Sequence, residues 1–401
     1  MTTNQEHISL VDNYSAHNYH PLPVVVAKAE GVWVEDAEGN RYMDMLAAYS
    51  AVNFGHGNPQ LIEAAKSQLE KVTLTSRAFH NAQLGPFCQE LADLCGMEAV
   101  LPMNTGAEAV ETALKTARKW GYKKKGVPDG KAKILVCEGN FHGRTTTIVS
   151  FSDDPQCRDG FGPFTPGFEF VPYGDITALE NAICDDTVAF LMEPIQGEGG
   201  IIIPPQGFLR AARELCTKRN VLFIADEIQS GLGRTGKTFA CDWEDVKPDI
   251  FILGKALGGG IMPISAVVSS REIMSVFRPG DHGSTFGGNP LACAIARQVI
   301  QMLNTNQYQN QAQELGTHLV NRLNEANFAC IETIRARGLW IGVEIKKSFG
   351  VARPLCERLM AEGMLCKETH EQTIRIAPPL SISKEEIDWA FEKLSLVLST
   401  P

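Results

Sequence analysis

The sequence predicts an α/β protein in which a large domain with a mostly parallel sheet, covered by helices on both faces, is followed by a smaller α+β domain. Three observations predict it. From about residue 57 to 290, helical periodicity alternates with short apolar runs rich in β-formers. Two of those runs, Val-Leu-Phe-Ile-Ala-Asp (221–226) and Asp-Ile-Phe-Ile-Leu-Gly-Lys (249–255), close on the charged residues Asp226 and Lys255. Beyond about residue 305, amphipathic stretches surround two separate strand-like runs.

The elements follow in order. Gly31-Val-Trp-Val-Glu-Asp and the turn at Glu38-Gly-Asn read as a β-hairpin within a segment of about 50 residues that packs with the C-terminal domain. Buried strands are expected at 133–137, 188–193, 221–226, 249–255 and 263–268, with amphipathic helices such as 207–216 between them. Asn289-Pro290 supplies a cap and a first-turn proline for a long helix leading out of the large domain. Strands at 339–345 and 373–376 and a last helix from Ser383 complete the smaller domain. The expected division is residues 1–50, 51–290 and 291–401.

Composition bounds the function. A chain of 401 residues with 44% hydrophobic content buries a large core, and a net charge of -10 argues against nucleic acid or an anionic membrane as the main partner. The one basic cluster, Lys123-Lys124-Lys125, reads as a solvated helix end. No apolar run approaches the ~20 residues that span a bilayer. The polar, acid-containing start is neither a secretory signal nor a transit peptide. The eleven scattered cysteines form no metal-like grouping, and reduced thiols in a cytoplasmic protein fit best.

Chemistry concentrates at strand ends, where open α/β sheets place their ligands. An amine and a carboxylate there suit a pyridoxal phosphate enzyme, in which lysine holds the aldehyde and the carboxylate keeps the pyridine nitrogen protonated. A structural ion pair is the alternative for Asp226 and Lys255. At Asn104-Thr-Gly-Ala-Glu108, Thr105 and Glu108 make a capping box, so the amides of Gly106 and Ala107 face outward at a positive helix end suited to a phosphate. Gly231-Leu-Gly-Arg-Thr-Gly-Lys-Thr238 formally matches a nucleotide-binding P-loop. It is rejected because Glu227-Ile-Gln-Ser separates it from the strand and no long helix is predicted after it.

Several stretches taken together resemble the ordered motifs of the class III aminotransferases. They are Asn104-Thr-Gly-Ala-Glu-Ala, Phe141-His-Gly-Arg-Thr, Glu193-Pro-Ile-Gln-Gly-Glu, Ala225-Asp-Glu-Ile-Gln-Ser-Gly, Leu253-Gly-Lys-Ala-Leu-Gly-Gly-Gly and His282-Gly-Ser-Thr-Phe-Gly-Gly-Asn-Pro. The resemblance runs from about residue 12 to 395. It implies a fold-type I, aspartate-aminotransferase-like architecture with a seven-stranded sheet, pyridoxal 5'-phosphate as cofactor, and a homodimer with shared active sites. His17-Asn-Tyr-His-Pro-Leu-Pro, Leu74-Thr-Ser-Arg-Ala-Phe79 and Cys366-Lys-Glu-Thr-His370 are most similar to members acting on ornithine and 2-oxoglutarate. Members acting on acetylornithine or 4-aminobutyrate are the alternative.

The same resemblance implies roles. Lys255 would hold the cofactor and shuttle a proton, Asp226 would pair with the pyridine nitrogen, and Gln229 would lie near the phenolic oxygen. Phe141 would stack on the ring, with His142 beside it, where animal members carry tryptophan. Gly106 and Ala107 would cradle the phosphate, joined by Ser284 and Thr285 from a second subunit. Arg144 and Tyr19 would receive the α-carboxylate of ornithine, and Tyr49 would line its pocket. Arg375 would bind the diacid, and Glu198 would mask Arg375 while ornithine is bound. Glu193 shares the motif of Glu198 without an assigned role.

Overall fold

The computed structural model describes residues 3–400. An N-terminal helix, Asn4–Tyr14, starts at a capping box between Thr3 and Glu6. Three antiparallel strands follow, β1 (Val26–Glu30), β2 (Trp33–Asp36) and β3 (Arg41–Asp44). At the β2–β3 turn, Asp36 Oδ1 accepts from the N–H groups of Glu38 and Asn40 at 2.9 and 2.8 Å, while Gly39 takes the left-handed conformation (φ 90°) that side chains disfavour.

The central sheet has seven strands: β4 (Ala99–Met103), β5 (Lys133–Cys137), β6 (Phe168–Val171), β7 (Thr187–Met192), β8 (Leu222–Asp226), β9 (Ile250–Leu253) and β10 (Ser265–Ser269). Their spatial order is β4-β10-β9-β8-β7-β5-β6, and β10 alone runs against the rest. Strands β7 to β10 are buried along their whole length, which explains why they read as unbroken apolar runs rather than alternating ones. Helix Gly106–Trp120 lays Val110, Ala113, Leu114, Ala117 and Trp120 against one face. Burying each of the larger side chains there stabilises the fold by roughly 1.5–3 kcal/mol. The opposite face packs against helix Phe208–Lys218 through Leu209, Ala212 and Cys216.

The strand expected over 249–255 stops at Leu253. Lys255 instead opens a 3-10 turn, Lys255–Gly258, with φ 44°, a left-handed conformation that no pleated strand accommodates. The long helix from the Asn289 cap, Pro290–Leu303, does not lead away from the large sheet as expected. Its apolar residues are too numerous for one narrow face, and Ile295, Ala296, Val299 and Ile300 pack in the same core as Phe251 and Leu253. The next helix, Gln307–Ala326, enters the other core through Ala312, Leu315, Leu319 and Leu323.

The remaining strands are β11 (Ile331–Arg337), β12 (Trp340–Ile345), β13 (Met364–Leu365), β14 (Lys367–Thr369) and β15 (Thr373–Ile376). Four form an antiparallel sheet in the order β11-β12-β15-β14. Strand β13 pairs in parallel with β3, so Val32, Met43 and Met45 share a core with Ile341, Leu359 and Ile387. The last helix, Lys384–Leu398, starts at a second capping box, Ser383 with Glu386, and the Trp33 indole N–H donates to Glu386 at 2.9 Å.

The P-loop-like stretch forms turns followed by a 3-10 helix, Ala240–Glu244, and no long helix opens there. Its Arg234 is fully buried, donating to the carbonyls of Leu339 (3.0 Å) and Pro378 (2.7 Å) and to Asn53 Oδ1 (2.5 Å). No carboxylate pairs with it among the described residues, and burial pushes its pKa down to about 9. The basic cluster is not wholly solvated either, because Lys125 is half-buried and donates to the Thr187 carbonyl at 2.6 Å.

Candidate active site

The carboxyl ends of β5, β7, β8 and β9 meet the start of helix Gly106–Trp120 around a cavity of about 230 Å³. Gly106, Ala107, Phe141, His142, Asp226, Gln229 and Lys255 all line it, together with Glu193. The capping box holds as expected: Thr105 Oγ1 accepts from Glu108 N–H at 3.2 Å while Glu108 accepts from Thr105 N–H at 2.7 Å. The N–H groups of Gly106 and Ala107 find no acceptor among the described residues and stay available at the helix end. Gly143, at φ 126°, lets the loop after Phe141 lie close against the helix start, since a Cβ there would meet the Ala107 and Ile148 side chains at 3.1 Å.

Asp226 does not pair with Lys255. Its Oδ1 accepts from Ile228 N–H at 3.1 Å, and its Oδ2 lies 2.6 Å from Nδ1 of the buried His142. Burial alone would keep His142 neutral, but the hydrogen bond and charge of Asp226 outweigh it and raise the imidazole pKa. Lys255 forms no ion pair among the described residues. Burial lowers its pKa, opposed by the charges of Glu198, Asp226 and Glu193 and helped by that of Arg375, so a neutral amine becomes accessible.

Glu193, whose place in its motif gave no role, ties two loops together. Its Oε1 accepts from Phe141 N–H at 2.9 Å and its Oε2 from Gly197 N–H at 3.1 Å. It thereby fixes the backbone carrying the aromatic face and the backbone beside Glu198. Burial pushes its carboxyl up to about 7.

Glu198 and Arg375 form a two-pronged ion pair at 2.9 Å for each oxygen. Burial works to raise the Glu198 pKa, but the Arg375 charge and hydrogen bonds prevail and hold it at about 2. Gln229 bridges this pair to the cavity, its Nε2 lying 3.3 Å from Glu198 and its Oε1 3.4 Å from Arg375. The Tyr49 ring centroid lies 5.2 Å from the guanidinium carbon. Tyr49 is delivered by four consecutive non-glycine residues in left-handed conformation, Ala47 to Ser50. Asp44 pins that turn by accepting from Leu46 and Ala47 N–H at 2.9 Å each.

On the other side, Arg144 stands 5.7 Å over the Phe141 ring and 6.0 Å over that of the exposed Tyr19. Ser284 and Thr285 do not line the cavity of their own chain. Ser284 Oγ accepts from Asn104 Nδ2 at 2.8 Å, and Thr285 is exposed.

Comparison with known proteins supplies the family. The family profile "Aminotransferase class-III" matches residues 14–398. The chain belongs to the class III aminotransferases. Among class III relatives, the ornithine aminotransferase of Brevibacillus brevis (strain 47) is 59% identical over 391 residues, which cover 98% of this chain and 97% of the relative. A crystal structure of the ornithine aminotransferase of Toxoplasma gondii ME49 superposes with a TM-score of 0.97 at 43% identity, covering 99% of this chain and 95% of that one. Another structure of the Toxoplasma enzyme, at 44% identity and TM-score 0.97, is described with partial occupancy of PLP at its active site. An acetylornithine aminotransferase from Elizabethkingia anophelis superposes at 0.90 with 44% identity, covering 99% of both chains.

A class III cofactor fits what this cavity offers. Two free backbone donors suit a phosphate, the space beside Phe141 suits a flat ring, and Asp226 and Lys255 supply the acid and the amine.

Proposed function

We propose that the chain transfers the δ-amino group of L-ornithine to 2-oxoglutarate, using pyridoxal phosphate held in this cavity. The products are glutamate 5-semialdehyde, which cyclises to pyrroline-5-carboxylate, and glutamate. The observation that carries the reading is the closed Glu198–Arg375 pair near Lys255, together with an Arg144 over Phe141 that is in no ion pair among the described residues. Identity of 59% with an ornithine aminotransferase over nearly the whole chain supports it.

Pyridoxal phosphate, when bound, supplies an aldehyde for the amino group and a ring that withdraws electrons. Gly106 and Ala107 N–H would hold its phosphate, Phe141 would cover the ring, and Gln229 would lie on the side of the phenolic oxygen. Asp226, oriented by His142, would keep the ring nitrogen protonated. Lys255 Nζ would hold the aldehyde and serve as the base that moves the proton of the donor's δ-carbon. Arg144 and Tyr19 hold the far carboxylate of ornithine, with Tyr49 along its path. While ornithine is bound, Glu198 neutralises Arg375, and a diacid displaces that carboxylate to reach the cation.

Ser284 and Thr285 serve a second copy, so the active form is a homodimer. Their absence from the local cavity and the exposure of Thr285 support this assignment. We assign residues 1–50 to the small domain, 51–290 to the cofactor domain and 291–401 to the small one, except that helix Pro290–Leu303 packs in the core of the cofactor domain. Eleven free thiols support a reducing, cytoplasmic setting, and no described helix is long and apolar enough to cross a membrane.

The test is a comparison of kcat/KM for ornithine, acetylornithine and 4-aminobutyrate on one preparation. Ornithine is expected to lead. A higher value for either alternative overturns the reading, and the likeness to an acetylornithine enzyme makes that substrate the sharper rival.

A further inference from the structure

A cavity of about 440 Å³ lies outside the cofactor cavity and is lined by Asn18, Arg144, Asp154 and Cys157 among others. Arg144 connects it to the cofactor cavity, because its guanidinium stands 5.7 Å from the ring of Phe141, which lines the inner one. An arginine and an aspartate that line one cavity commonly neutralise one another. Here neither is in an ion pair with any described residue. Asp154 is half-buried, and only one of its oxygens is fully used: Oδ1 accepts from Gln156 N–H at 2.9 Å as the cap of the short helix Pro155–Arg158. Oδ2 receives only a thiol, Cys157 Sγ at 3.4 Å, which is a weak donor. A carboxylate with spare acceptor capacity thus shares a cavity with an uncompensated guanidinium.

That arrangement suits a zwitterion. Ornithine carries two charges at its non-reacting end, an α-carboxylate and an α-ammonium on the same carbon. Arg144 and Tyr19 recognise only the carboxylate, which acetylornithine and 5-aminopentanoate also carry at the same distance from the reacting nitrogen. Only the α-nitrogen separates the three: a cation in ornithine, a neutral amide in acetylornithine, hydrogen in 5-aminopentanoate. An anion in the same cavity as Arg144 favours ornithine over both.

We propose that Asp154 is a specificity-determining residue that receives the α-ammonium of ornithine while Arg144 receives its α-carboxylate. The inference rests on the ornithine reading of this site and adds a residue to it.

The experiment uses the holoenzyme and the variants Asp154→Asn and Asp154→Ser. Both replacements keep a helix-capping side chain and remove the charge, so an unchanged thermal midpoint is expected. The ratio of kcat/KM for ornithine to that for 5-aminopentanoate is measured with 2-oxoglutarate as acceptor. Deleting the charge from the enzyme and the ammonium from the substrate closes a double cycle that isolates their interaction. The ratio is expected to fall at least about tenfold in both variants, with the loss mainly in KM for ornithine. If wild type favours ornithine and the ratio in the variants stays within about twofold, Asp154 does not read the ammonium and the ornithine assignment stands. If wild type turns over 5-aminopentanoate better than ornithine, the ornithine assignment itself fails, and the role of Asp154 with it.

Discussion

Arg375 is buried, yet the Glu198 carboxylate that neutralises it is half-buried and is held by the side chains of Arg375 and Gln229. A partner held in that way can leave. Removing it exposes a cation in a site whose first substrate carries an amine there, so Glu198→Ala should favour donors with a nearby carboxylate. We expect the kcat/KM ratio of 4-aminobutyrate to ornithine to rise about tenfold, equivalent to ~1.4 kcal/mol. An unchanged ratio would remove Glu198 as the switch. The pair also carries a pH signature. Its carboxyl is held at about 2, below the ordinary carboxylate range, so the stability it adds is present at neutral pH and lost as pH falls toward 2.

Among the elements, the loop after β8 depends on a second buried acid. Glu227 Oε2 accepts from Ser230 Oγ at 2.5 Å and Ala240 N–H at 3.0 Å, and Oε1 accepts from Cys241 N–H at 2.8 Å. It clamps the turn that carries Gln229 to the 3-10 helix beyond. Glu227→Ala strands two backbone donors and should cost roughly 3 kcal/mol. Burial raises Glu227 to about 7, so its unfolded form ionises first and its stabilising contribution fades as pH climbs from about 4.5 to 7. The drop in thermal midpoint caused by Glu227→Ala is therefore expected to be larger at pH 5 than at pH 7.5. Equal drops at both values would show that the carboxyl is already ionised at the lower one.

Elements of this kind differ in how far they announce themselves. The capping box at Thr105 is local, four residues wide, and was legible with its helix, as was the start of the last helix at Ser383. So were β5 and β7 to β10, because burial on both faces writes them as continuous apolar runs, whereas the less buried β4 and β6 were not. The reversal of β10 was not legible, since apolar content is the same for either direction. Nor was the pairing of β13 with β3, which joins residues 364 and 43. The left-handed turn that presents Tyr49 contains no glycine, so nothing local marked it. At the site, motif matching placed the Asp226, Lys255, Glu198 and Arg375 side chains around one region. It missed that Glu193 acts on backbone, because hydrogen bonds to N–H groups leave no trace in the partner's identity.

For the whole molecule, the prediction concerns the second copy proposed above. Phe286, next to Thr285, is 49% exposed and Phe79 73%. If Thr285 of a second copy completes the phosphate site, Thr285→Ala should weaken pyridoxal phosphate binding about tenfold while light scattering still reports a dimer. Unaltered affinity in a dimeric variant would exclude that contact.

Arg234 sets a different kind of limit on the molecule. Its three acceptors come from residues 53, 339 and 378, so the hydrogen bonds of its two terminal nitrogens are complete only when segments far before and far after Arg234 are both in place. A nascent chain that has reached β9 but not β12 must keep this arginine in water. The last part of the chain to be synthesised therefore supplies two of the three acceptors that allow this arginine to leave water.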